Sequence, residues 1–279
     1  MLILKIINKL KLLNYFNLLG EISLNDVTFK IPVIKKLGIE NIYMSEPWMI
    51  SLLKKMNLKD GQFIDVGVNI GQTLLKLKSV NQEIEYIGFE PNPTCVFYSN
   101  ELIEANQFKN TVIIPTGIAD KNGVLKLNFY SENISDSSAS IIENFRPDQE
   151  VKSSQYIPVN TVENISDSIS LKNVKAIKID VEGAEMEVLE SFKKLISKNQ
   201  PVILIEILPV YTSENTFRLD RQEKIESLLS ELDYLIYRVN KKNEIFESLQ
   251  HIDSIGIHDN LDECEYVFMP KTKKIEGLN

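Results

Sequence analysis

Three groups of residues in this chain have the types and spacing to do chemistry. The first is Phe63-Ile64-Asp65-Val66-Gly67-Val68-Asn69-Ile70-Gly71-Gln72-Thr73, an apolar run that ends in an acid and turns through two glycines before a helical pattern opens. Glycine suits a turn that a ligand must approach without a Cβ in the way. A helix start beyond it offers free N–H groups and a positive dipole end. Three residues separate Gly67 from Gly71, which is not the dinucleotide pattern G-x-G-x-x-G. The second group is Glu90, nineteen positions after Gly71 and followed by Pro91. An acid at the end of the second strand is placed to accept hydrogen bonds from ribose hydroxyls. Taken alone it would read as an exposed glutamate at a strand end; the glycine turn at that distance favours the nucleoside.

The third group is Lys178-Ile179-Asp180-Val181-Glu182-Gly183-Ala184-Glu185. Acids favour the first turn of a helix, which accounts for Glu185 and Glu187. It accounts less well for Asp180, still on the apolar strand and aimed at the same carboxyl edge as Asp65. Glu206 interrupts the apolar run Pro201 to Ile207, where a charge needs a partner. A carboxylate at such an edge can pair with a cationic part of a cofactor and disfavours a pyrophosphate.

The elements that must position these groups alternate. Strands are expected at Gln62–Val66, Glu85–Glu90, Thr111–Ile114, Lys175–Asp180 and Pro201–Ile207. Near-continuous apolar runs of this kind suit buried parallel strands. Helices are expected over Asn92–Asn106, after Asp180 (Val188, Leu189, Phe192, Leu195, Ile196) and around Ile225, Leu228, Leu229 and Leu232. Strands near Tyr234–Val239 and Glu265–Met269 are expected to pair antiparallel at one edge. The alternation implies a doubly wound α/β sheet. Residues 1–58 read as a mostly helical N-terminal cap, with Trp48, Leu52, Leu53 and Met56 at helical spacing. The remainder, 59–279, reads as one main domain. Near 120–150 it carries an insertion: a half-exposed strand at Val124–Tyr130, then a Ser-rich stretch, Ser131 to Ser140, that is either a surface loop or a flap over the site.

The chain has 279 residues, of which 43% are hydrophobic and 25% charged, with a net charge of −8. The acidic balance argues against a dedicated nucleic-acid binder. Two cysteines, Cys95 and Cys264, make no disulfide framework and read as buried thiols of a cytoplasmic protein. With only His251 and His258, a His-based zinc site is not expected and a carboxylate is the natural general base. Asp180, Glu182 and Glu206 are as compatible with a Mg²⁺ site as any strand-end acids; the expectation is no metal. Residues 1–20 are Leu- and Ile-rich with interspersed Lys. Two readings stand: a basic amphipathic helix at the inner membrane face, or a helix packed on the domain or on a second copy in a homo-oligomer.

Asp65-x-Gly67-x-Asn69-x-Gly71, then Phe89-Glu90-Pro91-Asn92-Pro93, then Lys178 to Glu185, resembles the FkbM family of S-adenosylmethionine-dependent methyltransferases. The resemblance covers about residues 40 to 270, and the last motif is the most diagnostic. It implies a class I methyltransferase fold: a Rossmann-like, mostly parallel seven-stranded sheet with an antiparallel last strand. It implies that S-adenosyl-L-methionine sits on Asp65, Gly67, Asn69 and Gly71, with Glu90 at the ribose. Gly117-Ile118-Ala119-Asp120 matches the family's segment near the adenine, which brings in Asp120, although a local turn explains that acid equally well. Ser45-Glu46-Pro47 also resembles a family segment and brings Glu46 toward the cofactor. Val68 stands where the family has a small residue. The implied reaction is O-methylation of a hydroxyl on a sugar, glycan or other polar small molecule, with Asp180, Glu182 or Glu206 as the base. The rivals are an NAD(P)-dependent Rossmann oxidoreductase or epimerase, and a non-catalytic binding protein on the same fold. Tyr237-x-x-x-Lys241 matches a dehydrogenase pair in spacing. It lies in a run that reads as a strand, where residues four apart are about 13 Å from each other.

Overall fold

The computed structural model describes residues 13, 16–56, 58–133, 135–143 and 145–273. The N-terminal segment opens with strands β1 (Asn17–Leu24) and β2 (Val27–Ile34), a two-stranded antiparallel hairpin. Asn25 and Asp26 both have positive φ, 49° and 65°, which is the two-residue turn that matches strand twist. Phe29 and Ile31 of β2 pack against Tyr98 and Leu102. Helix α1 (Trp48–Lys55) follows Pro47 and buries Trp48, Met49, Leu52 and Leu53. The expected mostly helical cap over residues 1–58 is therefore corrected: among its described residues, a hairpin and a short turn of helix (Ile39–Ile42) precede one helix of eight residues. The membrane-contact reading of residues 1–20 falls mainly outside the described residues, and residues 17–20 belong to β1.

The central sheet is built from β3 (Gln62–Val66), β4 (Glu85–Phe89), β5 (Thr111–Ile114), β9 (Val174–Ile179), β10 (Val202–Glu206), β11 (Tyr234–Lys242), β12 (Ile245–Ile252) and β13 (Glu265–Pro270). Its order is β12-β11-β13-β10-β9-β3-β4-β5. Pairs among β5, β4, β3, β9 and β10 are parallel, while β13 runs antiparallel to both β10 and β11. The antiparallel last strand is as expected, but the sheet has eight strands rather than seven. The extra strand is β12, turned back on β11 through Asn243 and Glu244, again both at positive φ. Tyr237 and Lys241 lie on β11, a strand, so they are not the one-turn pair of a dehydrogenase helix.

Helices α2 (Gln72–Val80), α3 (Pro93–Asn106), α5 (Glu185–Asn199) and α6 (Thr216–Glu231) link these strands and cover the sheet; the short α4 (Val162–Ser166) precedes β9. Side chains on a strand alternate between faces. Ile64 and Val66 therefore pack with Ile87, Phe89, Val188 and Phe192, whereas Phe63 joins Tyr86, Leu74 and Trp48 on the other face. Two covered faces require apolar strands throughout, which is why β3, β9 and β10 read as near-continuous apolar runs. Helix α3 begins on Pro93 with the Asn92 side chain accepting from the Thr94 N–H at 3.0 Å. Helix α5 ends on Gln200 in the left-handed conformation, before Pro201.

Strands β6 (Gly117–Ile118), β7 (Gly123–Phe129) and β8 (Ser153–Asn160) form a separate three-stranded sheet. The half-exposed strand expected at Val124–Tyr130 is β7. The segment 131–152 between β7 and β8 crosses toward the carboxyl ends of the central strands. Among the described residues no helix is long and apolar enough to cross a membrane. Both cysteines are free and buried.

Candidate functional site

The carboxyl ends of β3, β4, β9 and β10 open into one cavity of about 740 Å³. Its floor is the turn after β3. Gly67 has φ +90°, and a Cβ there would stand 1.8 Å from the carbonyl oxygen of Asp180. The first and third motifs of the sequence are thus locked together through a position only glycine can occupy. The Gly67 N–H donates to the Phe89 carbonyl at 2.9 Å, and the Asp180 N–H to the Val66 carbonyl at 3.0 Å. Gly71, at φ +77°, starts α2.

Glu90 ends the strand ladder beside this turn. One carboxylate oxygen accepts the Asn69 N–H at 2.7 Å, and the other accepts the Asn92 N–H at 2.8 Å. Asn69 is itself at φ +48°, with its carbonyl accepting from the Ser99 hydroxyl at 2.9 Å. Burial pushes the Glu90 carboxyl up to about 7, against the two N–H groups that favour its charged form. Gly67, Asn69 and Glu90 line the cavity, as do Pro91, Gly117 and Ile118.

Three expected cofactor residues do not line it. Asp65 is fully buried beneath the turn, where the Tyr86 hydroxyl donates to it at 2.5 Å. Burial raises its carboxyl to about 6, against Lys178 and the Tyr86 hydrogen bond. It braces the loop rather than facing the cavity. Gly71 acts through its backbone conformation. Asp120 is exposed and outside the lining, because the turn into β7 carries it away from the β6 residues that face the cavity. Glu46 does line the cavity; it pairs with buried Lys76 at 2.8 Å. Burial opposes its charge, but Lys76 and Lys178 outweigh it and hold the carboxyl low, at about 2.

The opposite wall is acidic. Oxygens of Asp180, Glu182 and Glu206 lie within 4.8 Å of one another, so all three expected acids meet. That spacing suits a shared cation, but two of the three already have one. Lys178 Nζ is 2.8 Å from Asp180, and Arg146 is 2.5 Å from Glu182. Burial works against the Lys178 charge, yet Asp180, Asp65 and Glu46 outweigh it and keep the ammonium charged. Glu182 is pushed up to about 7 by burial and by Asp180, against Arg146. The Glu206 carboxyl has no hydrogen bond among the described residues. Burial, then Asp180, Glu265 and Glu182, push it up to about 10, so it holds its proton at neutral pH. Glu185 acts locally, its carboxylate accepting the Gly183 N–H at 2.7 Å at the start of α5. Glu187 pairs with Arg221.

The Ser-rich stretch lies along the cavity, where the flap reading places it. Ser131, Asn133, Ser135, Asp136 and Ile141 line the cavity. Asp136 folds it: its carboxylate accepts the Tyr130 and Ser131 N–H groups at 2.7 and 2.9 Å, and the Ser138 hydroxyl at 2.6 Å. These bonds outweigh burial and hold the Asp136 carboxyl below its ordinary range. Arg146, Lys76 and the Ser45–Gln72 hydrogen bond at 2.5 Å were not anticipated. No local pattern marks Arg146 in its polar loop or Lys76 in a helix that also carries Lys78.

The family Methyltransferase FkbM domain matches residues 65–268, which run from the acid beneath the turn to the last strand of the sheet. The chain belongs to the FkbM methyltransferase family. Methyltransferase 1 of Beauveria bassiana (strain ARSEF 2860) is 26% identical over 144 residues, 47% of this chain and 57% of that protein. The FkbM methyltransferase of Methylobacillus flagellatus KT is 15% identical, with a TM-score of 0.46 over 78% of this chain and 47% of that one. The S-adenosylhomocysteine-bound methyltransferase PaMTH1 of Podospora anserina is 10% identical, with a TM-score of 0.43 over 82% and 78% of the two chains. The chain thus spans about half the length of the first two relatives.

Proposed function

We propose that this chain is an S-adenosylmethionine-dependent O-methyltransferase that acts on a hydroxyl of a sugar, glycan or other polar small molecule. The observation that carries the reading is one cavity with two unlike walls. On one side stand the Gly67 turn and Glu90, locked by the Asn69 N–H at 2.7 Å; on the other stand Asp180, Glu182 and Glu206. The donor brings a sulfonium cation and a ribose. Glu90 has lone pairs left for ribose hydroxyls after its two backbone contacts. An acidic wall complements the cation.

Transfer is an in-line displacement. The acceptor oxygen bonds to the methyl carbon, the carbon–sulfur bond breaks, and its electron pair stays on sulfur as neutral S-adenosylhomocysteine. The acceptor's proton passes to a carboxylate. The chain contributes positioning above all. Of the three acids, Glu206 is the least suited to take a proton because it already holds one, and it is suited instead to donate a hydrogen bond to the acceptor. Glu182, with its carboxyl near 7, combines a free proton site with enough basicity at neutral pH. Asp180, fixed by Lys178, is the alternative base. The polar flap, with Ser131, Asn133 and Ser135 on the cavity, favours a hydroxyl-bearing acceptor over an apolar one.

The test is transfer of a labelled methyl group from S-adenosylmethionine into a metabolite extract, followed by mass spectrometry of the labelled product. A methyl ether on a polar hydroxyl is expected. A label on nitrogen or carbon contradicts the O-methyl assignment, and no label from any extract that contains polar hydroxyl compounds contradicts the activity.

A further inference from the structure

Among the described residues, three contacts join the flap to the acid motif, all on residues 182 and 183. The Ser140 hydroxyl donates to the Glu182 carbonyl at 2.6 Å. The Phe145 ring lies against Gly183, where a Cβ would stand 2.6 Å from a ring carbon, and Gly183 has φ +105°. Arg146 reaches the Glu182 carboxylate at 2.5 Å. The first two contacts touch backbone. The third alone touches a side chain that lines the cavity.

The seat for this clasp is built by α6. Arg218 of α6 donates to the Phe145 carbonyl at 3.0 Å and to the Pro209 carbonyl at 2.9 Å, with its guanidinium 4.5 Å from the Phe145 ring centre. Arg221 donates to the Gly183 carbonyl at 2.7 Å. The helix therefore fixes Phe145 and Gly183, and Arg146 is delivered next to them. Both members of the ion pair are largely covered, with 17% of the Arg146 side chain and 15% of the Glu182 side chain exposed. The Arg146 Nε is buried and makes no hydrogen bond among the described residues. Its hold on the site thus runs through the Glu182 carboxylate. Without it, Glu182 would face Asp180 and Glu206 with no cation of its own, since Lys178 is engaged by Asp180.

We infer that Arg146 is a positioning residue: its guanidinium orients the Glu182 carboxylate toward the acceptor and ties the Ser-rich segment to the acid wall. The inference rests on the methyltransferase reading in taking Glu182 to face the acceptor.

Hydrogen exchange on the full chain, with S-adenosylhomocysteine as the probe ligand, tests this. Arg146→Ala and Glu182→Gln should each raise exchange of flap amides by on the order of tenfold, as expected for loss of a hydrogen bond between charged groups. The double variant should exchange no faster than either single variant, because the two residues act through one contact. Arg146→Lys should recover part of the protection. Arg146→Ala should change S-adenosylhomocysteine affinity less than about threefold while labelled-methyl incorporation falls at least about tenfold. Unchanged flap exchange, additive effects in the double variant, or full incorporation by Arg146→Ala would each overturn the inference. Failure of the unmodified chain to bind S-adenosylhomocysteine would instead refute the methyltransferase reading, and flap exchange of the unliganded variants would still decide whether the clasp exists.

Discussion

Glu90 serves its own chain and, in the proposed function, the ligand as well. Its two oxygens accept from Asn69 and Asn92, and the same carboxylate faces the cavity. Glu90→Ala would leave two backbone N–H groups without their acceptor and remove the ribose contact. At about 1.5–3 kcal/mol for hydrogen bonds to a charged group, S-adenosylhomocysteine affinity should fall by roughly 10- to 100-fold, measured by calorimetry, with the far-ultraviolet spectrum of the fold retained. Unchanged affinity would remove its ligand role. The place of Glu90 on the cavity was legible in the sequence because a buried strand, a proline stop and a fixed offset from the glycine turn all point to one sheet edge. Asp120 was not, because a tight turn and a ligand contact call for the same residue type. Asp65 shows a different limit. Its position at a strand end is readable, but that it is buried against the Tyr86 hydroxyl, twenty-one positions away, is not.

The glycine turn is held from outside by elements the sequence did not reveal. Asn41, in the short turn of helix Ile39–Ile42, is fully buried and donates to the Ile70 carbonyl at 2.7 Å and to the Tyr98 hydroxyl at 3.2 Å. Tyr98 in turn donates to the Pro32 carbonyl of β2 at 2.9 Å. The N-terminal hairpin therefore braces the glycine turn through α3. Asn41→Ala should lower stability by about 1–3 kcal/mol in urea unfolding and weaken S-adenosylhomocysteine binding severalfold. Loss of stability with unchanged binding would mean that the brace does not reach the turn. The hairpin was missed for physical reasons. Its turn is Asn25-Asp26, without the glycine that usually announces positive φ at both positions. Pro32 also sits inside β2, which argues against a central strand but is tolerated in a two-stranded ribbon. The same kind of turn at Asn243-Glu244 concealed β12 and made the sheet one strand larger than expected. The parallel strands β3, β4, β9 and β10 were readable because burial on both faces leaves apolar runs that few other arrangements produce.

Across the whole molecule the acids make stability depend on pH. Burial raises Asp65 to about 6, Glu90, Glu182 and Glu185 to about 7, Glu265 to about 8 and Glu206 to about 10. The folded chain therefore holds more protons than the unfolded chain above the ordinary carboxyl range, and these groups cost stability as pH rises from about 4 toward 10. Glu46, held at about 2, has the opposite sign and adds stability that is lost only in acid. Glu206→Gln removes the group that is raised most. Its melting temperature should exceed that of the parent by at least about 2 °C at pH 8 and match it near pH 5; an equal shift at both pH values would contradict the assignment. The acids, the turn and the flap come from distant parts of the chain and converge on one cavity, and the central claim is that this cavity takes a methyl donor. Isothermal titration of the full chain with S-adenosylmethionine and, separately, with NAD tests that claim most directly. One S-adenosylmethionine site of micromolar affinity, about −8 kcal/mol, and no heat with NAD are expected; saturable NAD binding without S-adenosylmethionine binding would contradict the claim.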